Sequence, residues 1–415
     1  MKADRLGILR EPSFAVALVI ALVVALGFGL VIPVLPLFAR DFGVGLFAVT
    51  LVVSVFAGVR LVSNPYTGPL TDRIGTRRAV GWGALIVAAS SLATAGAPSY
   101  WALVAFRGVG GFGSALFFNA LLALVIRAVP AQKRGVAVGM LQGAFLFGIM
   151  FGPTVGGLLA QPLGLRWPFV IYAGFCGSAG LVALRFLPGH DTSAVHTEAG
   201  GAPAPRTHAP KGLRATWEAA RGFSTDRAFV AALVMMAASR WAATGVRFSL
   251  VPVFGVEQIG ASEAVVGLGL GLASVTHLLV VWPAGRIADT AGRRALGAPS
   301  FFAFAAVAAS MGLAGTVPAF LTVLALYGLA TGLTAVTPPA IVGDIVAEER
   351  TGTGVGVLNF AGDLGSVLGP LVSGSLAQVA GYGWGFGASA VLLAVGGVAA
   401  LRMRETLPRA AATHP

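Results

Sequence analysis

The sequence predicts an all-α membrane protein with twelve transmembrane helices in two pseudo-symmetric six-helix bundles. Three observations carry that expectation. Hydrophobic residues make up 56% of the 415-residue chain and charged ones only 11%, against roughly 25% charged in an average soluble domain. The apolar residues gather in runs long enough to cross the ~30 Å of bilayer hydrocarbon, which takes ~20 helical residues. The chain also repeats itself. GPLTDRIGTRRAV at 68–80 and GRIADTAGRRAL at 285–296 share one signature, placing Asp72 and Asp289 217 residues apart. The same offset carries Gly135 onto Gly352, Gln142 onto Asn359 and Gly152-Pro153 onto Gly369-Pro370. A duplicated, lipid-embedded unit points to transport rather than catalysis.

The first apolar run, about 25 residues from Phe14, exceeds the ~7–15 residue core of a signal peptide. With no small-residue cleavage site behind it, it reads as a retained first span. Further runs fall at 46–70, 79–96, 99–127, 134–160 and 167–186, then at 229–256, 262–284, 296–315, 318–343, 353–379 and 382–402. These divide the chain into an N-terminal bundle (1–186), a linker (187–226) and a C-terminal bundle (227–415). The linker is polar and rich in Pro, Gly, Ala and Thr. Its end, with Leu213, Trp217 and Phe223 beside Arg214 and Arg221, has the composition of a short interfacial helix. His190, His196 and His208 lack the tight spacing of a metal site, so no metal is expected.

Orientation follows from the basic loops. Arg73, Arg77 and Arg78, Lys133 and Arg134, Arg293 and Arg294, Arg350, and the tail with Arg402, Arg404 and Arg409 all share a side with the N-terminus. Both termini are therefore expected in the cytoplasm, in the inner membrane. The net charge of +12 is distributed among these short loops rather than in one stripe, which argues against a nucleic-acid partner. The single Cys176 excludes a disulfide within the chain.

Five motifs stand in order along the chain: LGFGLVIPVLP (26–36), GPLTDRIGTRRAV with its repeat, LVAFRGVGGFGSA (103–115), GIMFGPTVGG (148–157) and GSVLGPLVSG (365–374). The set resembles the major facilitator superfamily, in its twelve-span drug:proton antiporter branch, over essentially the whole chain. That resemblance implies alternating access, efflux of a small amphiphilic molecule, and a proton gradient in place of any cofactor. It implies a conformational switch at the inner face, built from Asp72, Arg73, Arg77, Asp289, Arg293, Arg294 and Asp344. It also places the Gly-Pro motifs (Gly148, Gly152, Pro153 and Gly156; Gly365, Gly369 and Pro370) at the interface between the halves. Glycines every fourth residue let helices approach closely, and a proline bends a helix by removing a backbone hydrogen bond. Pro33, Pro36, Pro252, Pro338 and Pro339 are expected to kink cavity-lining helices similarly. In the loop motif, Gly68, Gly75, Gly285 and Gly292 are expected to allow a sharp reversal. Gly108, Gly110 and Gly113 fit dinucleotide-binding spacing, but they sit inside an apolar run with no preceding strand.

Arg60, Arg107, Arg240, Arg247, His277 and Asp363 also lie within apolar runs. Each charged Arg or Asp at mid-membrane costs roughly 2.5–3.5 kcal/mol, so five facing lipid would cost about 15 kcal/mol. They are expected to line a wet cavity with Asn64, Asn119, Gln142 and Asn359. By helical spacing, Arg60 and Asn64 share a face, as do Arg240 and Arg247, and Asn359 and Asp363. The repeat offset maps Arg60 onto His277. With the resemblance placing span two against span eleven, Arg60 and Asp363 are expected to form a switchable ion pair.

Two departures from the family's pattern bear on chemistry. Residues 14–39 hold no acid where many drug antiporters carry one, and Arg127 stands where many relatives have an aspartate. Cations outnumber acids within the spans, favouring a neutral or anionic amphiphile. Aromatics such as Phe28, Phe117, Phe118, Phe145, Trp241, Phe248, Tyr327 and Phe360 suit a bulky one. An importer or facilitator of an organic anion is the alternative, and a membrane sensor or enzyme a remoter one. The partners expected are the bilayer and a small molecule, with the chain acting as a monomer.

Overall fold

The computed structural model describes residues 11–130, 133–188, 226–347 and 350–407. Residues 189–225 of the expected linker, with its histidines, lie outside these residues, as does Arg409. Among the described residues, twelve helical spans are long and apolar enough to cross a membrane. The first is interrupted: α1 (Pro12–Val31) and α2 (Val34–Arg40) flank a break at Ile32 and Pro33. Then follow α3 (Leu46–Ile74), α4 (Thr76–Ala95), α5 (Tyr100–Arg127), α6 (Arg134–Leu163) and α7 (Trp167–Phe186). The seventh span comprises α8 (Arg227–Trp241), a π-helical stretch (Ala242–Leu250) and α9 (Val251–Glu257). The rest are α10 (Glu263–Ala291), α11 (Arg293–Ser310), α12 (Val317–Ala335), α13 (Thr337–Ile345), α14 (Thr351–Ala380) and α15 (Tyr382–Arg402). α12 and α13 make one span broken at Val336, just before Pro338 and Pro339.

The repeat is written into the backbone. Among the described residues, the six glycines with left-handed φ fall into pairs related by the 217-residue offset: Gly43 with Gly260, Gly75 with Gly292, and Gly164 with Gly381. Only glycine adopts that region without a Cβ clash, so each pair fixes the same turn twice. Helix starts keep step too. Ser99 Oγ accepts from Ala102 N–H, and its repeat mate Thr316 Oγ1 accepts from Ala319 N–H.

The loop motif differs from its expectation. Helix α3 runs on to Ile74 and α10 to Ala291, so Asp72 and Asp289 are helical and a single glycine makes each reversal. Gly75 has φ 87° and Gly292 has φ 112°. Gly68 and Gly285 lie within the helices with open space beside them.

The chain forms two compact units. Unit 1 holds residues up to Val44, Val55–Arg206 and Ser262–Gly271; unit 2 holds Gly45–Ser54, Thr207–Ala261 and Leu272 onward. The two segments grouped away from their own half, 45–54 and 262–271, are themselves related by the repeat offset.

Within unit 1, α1 packs on α6 and α7, and α4 on α5 and α7. The glycines of α6 explain the closeness. A Cβ at Gly148 would meet Ala25 and Leu26, one at Gly152 the backbone of Gly29, and one at Gly156 the carbonyl of Leu30. In unit 2, Gly365 and Gly369 of α14 play the same part against Ala237 and Trp241 of α8. These named glycines therefore make their closest approaches inside a repeat, to its first span. The neighbouring Gly157 does face another repeat, meeting Glu263 and Gly267 of α10 within unit 1. Helical geometry accounts for the difference, because residues one position apart point to different sides of α6.

Gly110 and Gly113 of the decoy motif serve packing. They meet Ser90 and Ile86 of α4. Unit 2 is filled by aromatics, with Phe254 on Phe386 at 5.2 Å and Phe304 on Tyr327 at 4.8 Å between ring centres.

Candidate substrate and coupling site

In unit 1 the site is built where α5 passes α3. Helix α5 carries Arg107 and Asn119; α3 carries Arg60 and Asn64. Arg107 is 3% exposed, and its Nε has no hydrogen-bond partner. Its guanidinium lies 4.5 Å from the ring centre of Phe56. Phe56 stacks on Phe28 at 5.8 Å, and Phe28 meets Tyr172 edge-on at 6.4 Å. A desolvated cation on an aromatic face gains about 2 kcal/mol. That offsets part of the burial cost and leaves the Nε–H unsatisfied.

About three turns further along α5 the polar groups are satisfied. Asn119 Nδ2 donates to Asn64 Oδ1 at 3.2 Å and to Thr67 Oγ1 at 2.7 Å, while Thr67 donates to the Asn64 carbonyl at 2.9 Å. Arg60 sits 5.4 Å from the ring of Phe118. The structure thus brings Arg60, Asn64 and Asn119 to one seam. Gln142 is exposed on α6.

Unit 2 carries the second cluster. Arg247 lies in the π-helical stretch, where its Nη2 donates to Ser274 Oγ of α10. One helical turn on, His277 Nδ1 pairs with Thr331 Oγ1 at 3.1 Å. Tyr327 O–H donates to the Ala242 carbonyl at 2.7 Å, at the start of the π stretch. Ser249 Oγ takes up the Thr244 carbonyl five residues back at 2.6 Å. The π stretch corrects one expectation. Arg240 and Arg247 were placed on one face by α-helical spacing, but the i→i+5 ladder changes the angular phase between them. Arg240 is exposed at the end of α8, whereas Arg247 reaches α10. Asn359 is exposed on α14, and Asp363 is half-buried there. Sequence reasoning did not flag Ser274, Thr331 or the π stretch. Only the polar spacing of Ser274 and His277 on one apolar helix could have pointed to them.

The charged groups near the Gly75 and Gly292 turns show the repeat with its polarity transposed. In unit 2, Arg293 Nε donates to Asp344 Oδ2 at 3.0 Å, its Nη1 pairs with Asp289, and Thr406 adds a hydroxyl to Asp344 at 3.1 Å. The Glu405 carboxylate caps the start of α11, accepting from the Arg293 N–H at 2.7 Å and the Arg294 N–H at 3.1 Å. In unit 1 the offset puts Thr76 at the place of Arg293 and Arg127 at that of Asp344. Arg127 Nη2 reaches Asp72 at 3.2 Å and its Nη1 reaches Thr76 Oγ1 at 3.4 Å. The cation has moved from one corner of the triangle to another. Arg77 is engaged elsewhere, donating to the Leu184 carbonyl of α7. Arg73 is exposed.

A duplicated bundle of twelve spans, with buried guanidiniums and hydroxyls turned inward, defines a membrane transporter rather than an enzyme. The family model for the Major Facilitator Superfamily matches residues 17–260 and 236–414, and the chain belongs to that family. Among curated proteins it is similar to the quinolone resistance protein NorA of Staphylococcus aureus (strain MRSA252), 28% identical over 158 residues. It is also similar to multidrug resistance protein 2 of Bacillus subtilis (strain 168), 30% identical over 175 residues. These matches cover 38% and 42% of this chain, and 39% and 42% of those proteins, so it spans about two fifths of each relative's length. Two solved structures share the fold. One is a bacterial homologue of the human lysosomal transporter Spinster, with TM-score 0.76 and 16% identity over 94% of this chain and 96% of that one. The other is the human organic anion transporter MFSD10 (TETRAN), with TM-score 0.65 and 20% identity over 94% and 99%.

Proposed function

We propose that this transporter exports a neutral or anionic amphiphile across the inner membrane by alternating access, in exchange for protons, with both termini in the cytoplasm. Arg107 is the observation that carries the substrate class. An arginine kept in the membrane interior with an unsatisfied donor and an aromatic wall is suited to a planar carboxylate. Such a group accepts the guanidinium's hydrogen bonds while its ring packs on Phe56 and Phe28. Residues 14–39 hold no carboxylate to compete for it. Similarity to resistance proteins supports the outward direction. Asp363 is assigned the coupling proton, with Arg60 as its partner in the cycle.

The test uses inverted vesicles and a fluorescent aromatic carboxylate beside its neutral ester. Acid-driven accumulation of the carboxylate, with matching proton release from the lumen, supports the reading. Loss in Arg107→Gln would tie it to this site. Transport of a cationic dye in preference to the acid would refute it. The surplus of cations within the spans also suits uptake or facilitation of an organic anion; carboxylate flux without proton movement would select that second reading.

A further inference from the structure

The seventh span begins, and the twelfth ends, at the same end of unit 2, where α8 and α15 pack together. Asp226, Arg227, Arg402, Met403 and Arg404 line a recess of about 660 Å³ there. Three guanidiniums face one carboxylate, and that carboxylate is fully engaged. Asp226 Oδ1 accepts from the Ala228 N–H at 2.8 Å, and its Oδ2 takes Arg404 Nη2 at 2.8 Å. Arg404 is thereby paired. Arg227 and Arg402 form no ion pair or side-chain hydrogen bond among the described residues. Met403, 1% exposed, closes the floor.

Apolar surface adjoins the recess on the membrane side. Val230 lies one turn from Arg227, Val398 one turn from Arg402, and Leu401 next to it; all three are exposed. The arginine pair also survives the duplication, since the repeat offset carries Arg10 and Arg185 onto Arg227 and Arg402.

We propose that this recess binds the phosphate of an anionic lipid headgroup. Arg227 and Arg402 act as the donors, and the acyl chains lie along Val230, Val398 and Leu401. The planar guanidinium fork matches phosphate oxygens two at a time. Basic recesses between spans on the cytoplasmic side suit phosphorylated headgroups, whereas a free phosphate would leave the adjoining apolar wall unused. The site is separate from the Arg107 cluster and stands whatever the substrate is.

The experiment titrates phosphatidylglycerol into the full-length protein held in zwitterionic lipid nanodiscs and follows the thermal midpoint. The midpoint should rise and saturate. An arginine near the headgroups contributes about fivefold in lipid affinity, so Arg227→Gln with Arg402→Gln should raise the half-saturating lipid fraction roughly 30-fold. Arg78→Gln with Arg350→Gln removes the same charge elsewhere and should change it less than about threefold. An equal loss in both pairs would mean diffuse attraction and overturn the site, as would no lipid-dependent rise in the unaltered protein. A full rise from inorganic phosphate in purely zwitterionic nanodiscs would replace the lipid with the free ion and overturn the proposal too. If the glutamine pair fails to fold, Arg227→Lys with Arg402→Lys keeps the charge but loses the fork. Several-fold weakening there supports the site, and unchanged binding overturns it.

Discussion

Replacing Asp344 by Asn should destabilise the protein far more than replacing Asp72 by Asn, although the two acids occupy related clusters. Asp344 and Arg293 have side chains 15% and 10% exposed, and their contact is 3.0 Å. A hydrogen bond to a charged group in such shelter contributes about 1.5–3 kcal/mol, so Asp344→Asn should cost about 2 kcal/mol, and Asp289 cannot compensate from its exposed position. Asp72 and Arg127 are 69% and 62% exposed, where an ion pair contributes about 0–1 kcal/mol. For a folding unit of this size, 1 kcal/mol shifts the midpoint by roughly 2–4 °C. Asp344→Asn should therefore lower it by about 4–8 °C and Asp72→Asn by no more than about 4 °C. Intrinsic tryptophan fluorescence on detergent-purified protein reads both. A transposition experiment then tests the geometry. Arg127→Asp alone sets two carboxylates together and should lower the midpoint. Adding Thr76→Arg rebuilds the arrangement of Asp289, Arg293 and Asp344, and should restore at least the original value. Equal costs for the two acids, or a double variant no better than the single, would refute this account.

Arg107→Gln should abolish carboxylate transport while leaving the thermal midpoint unchanged or higher, because it removes a buried charge without separating an ion pair; a large drop in stability would show a structural role instead. Gly152→Ala should cost about 1–3 kcal/mol, because its methyl would meet the Gly29 backbone, whereas Gly139→Ala, in open space, should gain up to about 1 kcal/mol of helix propensity. Burial pushes the Glu405 carboxyl up, but the N–H groups of Leu407, Arg293, Arg294 and Thr406 outweigh this and hold it below the usual carboxylate range. Its stabilisation is therefore complete above the unfolded-state pKa and is lost as pH falls through the folded one. Thermal midpoints across acid pH should fall more steeply for the unaltered protein than for Glu405→Gln; parallel curves would contradict the assignment. Asp363→Asn should remove proton-driven flux, and unchanged flux in proteoliposomes would end its proposed role.

The spans were legible because lipid enforces a simple rule: a long apolar run must close its own backbone hydrogen bonds as a helix. The repeat was legible because the loop motif and the Gly152-Pro153 pair recur at one offset, and the structure adds that the turns at Gly43, Gly75 and Gly164, which require glycine, recur at that offset too. Polar clusters within one repeat were only half legible. Arg60 and Asn64 stayed together because α3 is regular between them, but Arg240 and Arg247 parted because the π stretch has no propensity signature. The Gly-Pro motifs were half legible for a related reason. Glycine spacing announces a close approach without naming the partner, and a one-residue step from Gly156 to Gly157 changes it from α1 to α10. Arg127 stood out in the sequence as a departure from the family's aspartate. In three dimensions it is a relocated charge, since Asp72 meets a cation from the neighbouring corner.

The widened coil at Ala242–Leu250 has a bearing on how this span tolerates change. A wide turn takes up an additional residue while the flanking α8 and α9 keep their register, and the Tyr327 hydroxyl and Ser249 occupy carbonyls at its margin. Deleting one residue there should tighten the coil to an ordinary α-helix and swing Arg247 away from Ser274. Insertions and deletions confined to this stretch therefore offer a way to steer one guanidinium while leaving both ends of the span where they are.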